Sequence, residues 1–160
     1  MALVLQLLGG FHLASAEAGA VTLADRRARA LLAYLALASS PTSRQALAGL
    51  LCAEGDEQDQ LATLRQAIYV ARKAAGPAIV QAQGSSLSLS EGLVSVDARR
   101  FAGAIARGDH DSLVEAVALY RGPFLAGERS PSPAFEDWLM ARKSRPRLIV
   151  DLEEVIEPGI

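Results

Sequence analysis

Arg65, Tyr69 and Lys73 follow one another at intervals of four residues, with Gln66 beside the first of them and Arg72 beside the last. Guanidinium and ammonium groups bind phosphate oxygens, and Arg and Gln also present paired groups that match base edges, so these side chains have the chemistry of nucleic-acid contact. An interval of four brings successive side chains to one side of an α-helix. The opposite side of the same stretch, Asp56 to Gly76, carries Leu61, Leu64, Ile68, Ala71 and Ala75 at spacings of three and four, an apolar stripe that must face a core. Asp56, with Asp59 three residues on, predicts the helix start. Glu57 suits the positive end of the helix dipole, and Gly76-Pro77 supplies the stop. From 57 to 75 such a helix runs roughly 28 Å at about 1.5 Å per residue, long enough to cross a DNA groove and remain anchored. A solvated surface helix with a cationic outer face has the same pattern, so the flanking sequence must decide between them.

Stepping outward, the composition excludes several classes. At 160 residues the chain can hold one good core or two small ones. The 51% hydrophobic content is inflated by alanine, yet Leu, Val, Ile and Phe suffice for a folded protein rather than a disordered one. No uninterrupted apolar run approaches the roughly 18 residues of a membrane span, and the N-terminal MALVLQLLGGFHLA lacks the basic start of a secretory signal. The expectation is a cytoplasmic protein that does not engage membrane. Cys52 is the single cysteine, sits in an apolar run and reads as buried packing. His12 and His110 have no ligand-spaced companions, and no nucleophile-base pair, carboxylate dyad or phosphate-binding glycine loop can be assembled, so no enzyme, metal or cofactor is expected. Net charge argues against indiscriminate DNA binding: it is −2 for the chain, and up to Ser95 seven basic residues are matched by seven acidic ones.

The elements that would position the candidate helix can be taken in order. LVLQLLGGFHL and AVTL predict two or three short antiparallel strands. Asp25 opens a helix with Ala28, Leu31, Leu32 and Leu35 inward, ended by Ser39-Ser40-Pro41. Its first-turn Arg26, Arg27 and Arg29 read either as phosphate contacts or as a solvated cluster paired with Asp25. Thr42 or Ser43 then caps a shorter helix, RQALAGLLC. After Gly76-Pro77 the period changes: AIVQAQ, Gly84-Ser85-Ser86 and LSLS predict a hairpin, with Leu93, Val94 and Val96 as a last edge. The order strands, helix, helix, helix, hairpin is that of a winged helix, in which the third helix enters the major groove. From Asp97 the chain is helical again. Phe101, Ala104 and Ile105 face inward on one helix and Leu113, Val114, Val117 and Tyr120 on its partner, followed by Arg121-Gly122-Pro123, a Phe124-Leu125 plug, and a helix with Phe135, Trp138 and Leu139 inward. Pro146 predicts a kink or break near Ser144-Arg145.

RRARALLAYLALASSPTSRQALAGLL, LRQAIYVARKAAG, the hairpin, and the block LYRGPFLAG with PAFEDWLMARKSR together resemble the SARP or AfsR-type bacterial transcriptional regulators. The likeness covers nearly the whole chain. It implies a mostly α fold with small antiparallel β elements, an α+β winged helix of OmpR type over residues 1–96. An all-α, TPR-like bacterial transcriptional activation segment begins at 97–160. It further implies double-stranded DNA as partner, read by Arg65, Gln66, Tyr69, Arg72 and Lys73, directly repeated sites, and RNA polymerase or a partner protein on the helical tail. Arg72→Ala is then expected to weaken binding with little effect on folding.

The sequence departs from that family pattern in three places. Val70 stands where a further arginine is common, the hairpin QAQGSSLSLS has no Lys or Arg, and Glu54, Asp56, Glu57 and Asp59 crowd the helix start. These departures define the alternative: a degenerate winged helix that serves a larger signalling protein as an interaction or regulatory domain, without DNA binding. The helical repeat also reads as unfinished. Either the chain is a piece of a longer regulator, the expectation adopted here, or the tail LIVDLEEVI packs back on the winged helix and dimerises. The DNA reading fails if the C-terminal helices cover Arg65, Tyr69 and Lys73.

Overall fold

The structure, a computed structural model, describes residues 2–143; the break expected near Ser144-Arg145 and the segment LIVDLEEVI lie outside them. Strands β1 (Leu3–Gln6), β2 (His12–Ser15) and β3 (Gly19–Val21) form an antiparallel meander with Leu5 opposite Leu13 and Leu13 opposite Val21. Alternation decides its faces: Leu3, Leu5 and Leu13 are buried while Val4 and His12 are exposed. Strand β7 (Val94–Val96) pairs with β1 in parallel, Leu3 opposite Val94 and Leu5 opposite Val96, giving the order β3-β2-β1-β7. The predicted place of this segment, as an edge of the hairpin, is therefore corrected. A Val-Ser-Val alternation fits any half-buried strand position, and only the exposed edge of β1 decides which sheet receives it.

Three helices share one apolar core with this sheet. Helix α1 (Arg26–Leu37) starts at Asp25, whose carboxylate accepts from the Arg27 and Ala28 N–H groups at 2.8 and 3.1 Å. Helix α2 (Arg44–Leu51) starts at Ser43, whose hydroxyl accepts from the Ala46 N–H. Helix α3 (Glu57–Ala75) opens on a reciprocal capping box of Asp56 and Asp59 and ends at Gly76, φ 100°. Leu64, Ala67, Ile68, Ala71 and Ala75 are buried along its inner side. Strands β5 (Val80–Gln83) and β6 (Ser86–Leu89) form the wing hairpin. The short β4 (Thr42–Ser43) adds to β6, so the residue that caps α2 is also hydrogen-bonded into the wing sheet, in the order β4-β6-β5.

The helical segment is joined to this body by buried polar contacts. Helix α4 (Asp97–Arg107) follows β7 directly, and the Asp97 carboxylate, 4% exposed, accepts from the Leu7 N–H at 2.7 Å and the Leu8 N–H at 3.0 Å. It also accepts from the Ala98 N–H at 2.7 Å. The backbone of the loop after β1 is thereby satisfied where no strand reaches it.

Beside that contact, the Arg121-Gly122-Pro123 turn lies on the Gly9 turn. Gly9 N–H donates to the Pro123 carbonyl at 2.9 Å, and Leu125 N–H donates to the Leu7 carbonyl at 2.8 Å. A Cβ on Gly122 would stand 3.2 Å from the Gly9 Cα, so only glycine allows the two backbones this close. Leu125, the plug, is 2% exposed and adopts φ 51°.

Helix α5 (His110–Leu119) returns antiparallel to α4, rotated from the predicted face. Ser112 and Ala116 are buried, whereas Val114 and Val117 are 56% and 39% exposed. The cause is the turn. The Asp109 carboxylate accepts from both the N–H and the hydroxyl of Ser112, and Arg107 Nε donates to the same hydroxyl at 3.0 Å, which pins Ser112 inward. These bonds hold the Asp109 carboxyl below its usual pKa. Their contribution is full above the ordinary carboxylate range and is lost as the pH falls through the lowered value.

Helix α6 (Pro133–Lys143) packs against α2. Trp138 meets Tyr34, Phe124 and Phe135 at ring-centroid distances of 5.1, 5.8 and 5.1 Å. One apolar core runs from Leu3 through α1, α2 and α3 to Leu125, Phe135 and Leu139, and a smaller one joins Leu8, Phe101, Ala104 and Ala116.

Replacing Asp97 by Ala strands two buried N–H donors. We expect a loss of about 2–4 kcal/mol of stability, read as a lower denaturant midpoint at unchanged slope.

Candidate nucleic-acid interface

The inner stripe of α3 is consumed by the core, which fixes the rotation of the helix and so determines what its outer side presents. Arg65, Gln66, Tyr69 and Lys73 are all exposed, Tyr69 at 58%. Helix α6 lies on α2, and none of α4, α5 or α6 buries these side chains. Among the described residues, the face that the DNA reading requires to be open is open.

Arg44 joins that face from a different element. With Arg65, Ile68, Tyr69, Arg72 and Lys73 it lines one open depression of about 540 Å³, whose walls are mainly carbon and whose rim carries the four cations. Its position follows from the capping of α2. Ser43 fixes the helix start, and the Arg44 N–H donates to the Ser85 carbonyl at the wing turn at 2.9 Å, so Arg44 is held where the wing, α2 and α3 converge. Arg44 is absent from the site residues implied by the family resemblance. The available signal was its place in the first turn after an N-cap serine, but nothing local says which neighbour that turn faces.

Arg72 has a second role. Its Nη2 donates to the Val80 carbonyl at 2.8 Å, and its Nε is buried without a hydrogen-bond partner. It is half-buried and ties the end of α3 to the first residue of β5. The expectation that Arg72→Ala leaves folding nearly untouched is therefore revised. The sequence shows Arg72 at the border of the outer face, but the carbonyl it meets belongs to a strand placed by the turn after Gly76. Lys73 Nζ stands 5.9 Å from the Tyr69 ring centroid, so lysine and tyrosine share the outer surface one turn apart.

The first-turn arginines of α1 are mostly used within the chain. Arg27 Nε donates to the Leu51 carbonyl at 3.3 Å. Arg29 pairs with Glu128 at 3.3 Å and lies over the Phe11 ring at 5.3 Å. Neither takes Asp25 as its ion-pair partner, because that carboxylate is committed to the helix cap. Arg26 is exposed beside a separate concavity shared with Glu128, Arg129 and Glu136.

The acidic residues at the other end of α3 are partly occupied. Asp56 and Asp59 form the capping box, and Glu57 accepts from the Gln45 amide. From Glu57 to Lys73 the helix rises roughly 24 Å at about 1.5 Å per residue. That is about three times the Debye length of about 8 Å at physiological ionic strength, so the acidic end does little to cancel Arg72 and Lys73, while Arg65, about 9 Å along the helix from Asp59, lies within its reach. The wing presents Gln81, Gln83, Ser86 and Ser88 on its outer side, alternating with the inward Val80, Leu87 and Leu89.

Among the described residues, no group of three or more His, Cys, Asp or Glu could hold a metal ion, and no helix is long and apolar enough to cross a membrane. Cys52 is buried, with its thiol 3.0 Å from the Glu54 carbonyl.

Strand meander, three helices, hairpin and appended helices define an α+β winged helix followed by a helical segment. No family model matches the sequence, and no curated protein matches it. Among solved structures the chain is similar to Mycobacterium tuberculosis EmbR, determined in complex with a low-affinity phosphopeptide, with a TM-score of 0.69 and 22% identity. The match covers 96% of this chain and 43% of that one, so the chain spans less than half of the EmbR structure. The likeness shows a shared fold.

The two kinds of side chain on α3 separate in a stability measurement. Arg72→Ala should cost about 1.5–3 kcal/mol through the lost bond to the Val80 carbonyl. Arg65→Ala and Lys73→Ala should each stay within about 0.5 kcal/mol of the parent by urea denaturation.

Proposed function

We propose that the chain is a DNA-binding transcriptional regulator acting in the cytoplasm, with residues 1–96 as its DNA-binding unit and 97–160 as the start of its activation segment. Helix α3 enters the major groove. Arg65 and Gln66 face base edges, Tyr69 contacts the groove floor, and Lys73, Arg72 and Arg44 face phosphates. The helical segment contacts RNA polymerase or a partner protein. The observation that supports this best is the convergence of Arg44 with Arg65, Tyr69, Arg72 and Lys73 on one depression, on a face that the other described residues leave exposed. Helix α1 and the sheet hold α3 from behind, while α2 brings a cation alongside it, the arrangement by which a helix-turn-helix pairs groove entry with backbone contact.

The uncharged wing favours a second reading, an interaction module that has lost DNA binding. Salt dependence separates the two. About three phosphate contacts, from Lys73, Arg72 and Arg44, predict a log–log slope near −2.7, hence roughly a fortyfold loss of affinity between 50 and 200 mM salt. Titration of directly repeated duplexes, chosen by selection from a random library, should give this slope, and Lys73→Ala should make it shallower by about one contact. Absence of binding at 50 mM salt would refute the DNA reading and leave the interaction module.

A further inference from the structure

The depression between α2 and α3 combines two properties that a simple phosphate clamp does not need. Its rim is cationic, but its walls are carbon: Ile68, the Tyr69 ring and the aliphatic stems of Arg44, Arg65, Arg72 and Lys73. Phosphate oxygens gain nothing from such a surface, whereas an apolar group flanked by phosphates does.

Tyr69 stands at the centre of this surface, four residues from Arg65 on one side and from Lys73 on the other. It differs from the other tyrosines of the chain. Tyr34 packs on Trp138 at 5.1 Å and Tyr120 on Phe101 at 5.9 Å, and both are half-buried. Tyr69 is 58% exposed, and its ring neighbour among the described residues is the ammonium of Lys73. An aromatic side chain held out on an exposed helical face, above an apolar floor, has contact area that the fold itself does not use.

We propose that Tyr69, with the apolar floor around Ile68, reads the C5 methyl group of thymine and so makes this chain prefer a thymine at one or two positions of its site. The inference rests on the DNA-binding reading above and sharpens it. In the major groove the thymine methyl is the one apolar group that a base pair displays, and it projects toward the protein. The flanking cations, Lys73 on α3 and Arg44 on α2, hold phosphates to either side, while Arg65 and Gln66 face the neighbouring base edges. Gln66, three residues before Tyr69, is placed for the neighbouring base edge, where an amide matches adenine N6 and N7. A cytosine at the same position brings no methyl group and leaves the carbon surface facing water.

The experiment removes only that methyl. Duplexes enriched from a random library by the 160-residue chain are resynthesised with deoxyuridine in place of thymidine, one position at a time, and titrated at fixed salt. The parent chain should bind roughly fourfold more weakly at one or two of these positions, the effect of one buried carbon group. Tyr69→Ala should abolish the difference between thymidine and deoxyuridine there, with the salt slope and melting temperature unchanged. Tyr69→Phe should retain the difference.

If no position responds to deoxyuridine, or if the response survives in Tyr69→Ala, the methyl assignment is overturned while DNA binding stands. Loss of the response in Tyr69→Phe would assign the contact to the hydroxyl and overturn the apolar reading. If no duplex is enriched, both this inference and the DNA-binding function fall.

Discussion

Two adjacent N–H groups, those of Leu7 and Leu8, point inward just past the end of β1, where no further strand can receive them, and the Asp97 carboxylate accepts both. A buried carboxylate is tolerated when each of its oxygens is hydrogen-bonded, and buried N–H groups are tolerated only when paired, so each side supplies what the other lacks. Asp97 is also the first residue of α4. The bond that closes the sheet therefore fixes the direction in which the helical segment departs. Gly9 against Gly122, and Leu125 bonded to the Leu7 carbonyl, bring the chain back to the same loop after α5. Its described helices are held at the sheet and at α2, so they leave the outer side of α3 clear.

That clearance lets a chain of net charge −2 present a cationic surface. Charge acts over a screening length, and sums over a whole chain say little about one face. Two of the four rim cations, Arg72 and Lys73, come from the last turn of α3, Arg65 comes from its middle, and Arg44 from the first turn of α2. The acidic residues gather at the opposite end of α3, where they cap the helix and favour its dipole. For Arg72 and Lys73 the arrangement satisfies helix stability and anion attraction with the same element, because the two demands act at opposite ends of it.

Periodicity reads helices well when the apolar face is wide and the neighbours are large, as in α1 and α3. It misleads for α5. Val114 and Val117 are the more apolar residues, yet Ser112 and Ala116 face α4. Small side chains permit close approach of two helices, and a serine fully bonded to Asp109 and Arg107 is not penalised for burial. The apolar pattern carries no information about those bonds. Strand β7 shows the same limit in another form: its alternation was correct and its sheet was not, because alternation identifies a face and never a partner.

What the sequence determined by itself was whatever closes within a few residues. The bounds of α3, its capping box, its glycine stop, the Asp25 and Ser43 caps, and the hairpin at Gly84-Ser85 all depend on hydrogen bonds and side-chain periods local to the chain. The outer position of Arg65, Gln66, Tyr69 and Lys73 followed from the stripe opposite them. Tertiary structure decided the pairings across long separations. It bonded Asp97 to residues 89 and 90 positions away, gave Arg29 to Glu128, tied Arg72 to Val80, and brought Arg44 beside Tyr69. The physical reason is that a cap or a helical stripe has its partner within one or two turns, whereas a buried charge or a sheet edge accepts whichever distant group the packing of the whole core delivers to it.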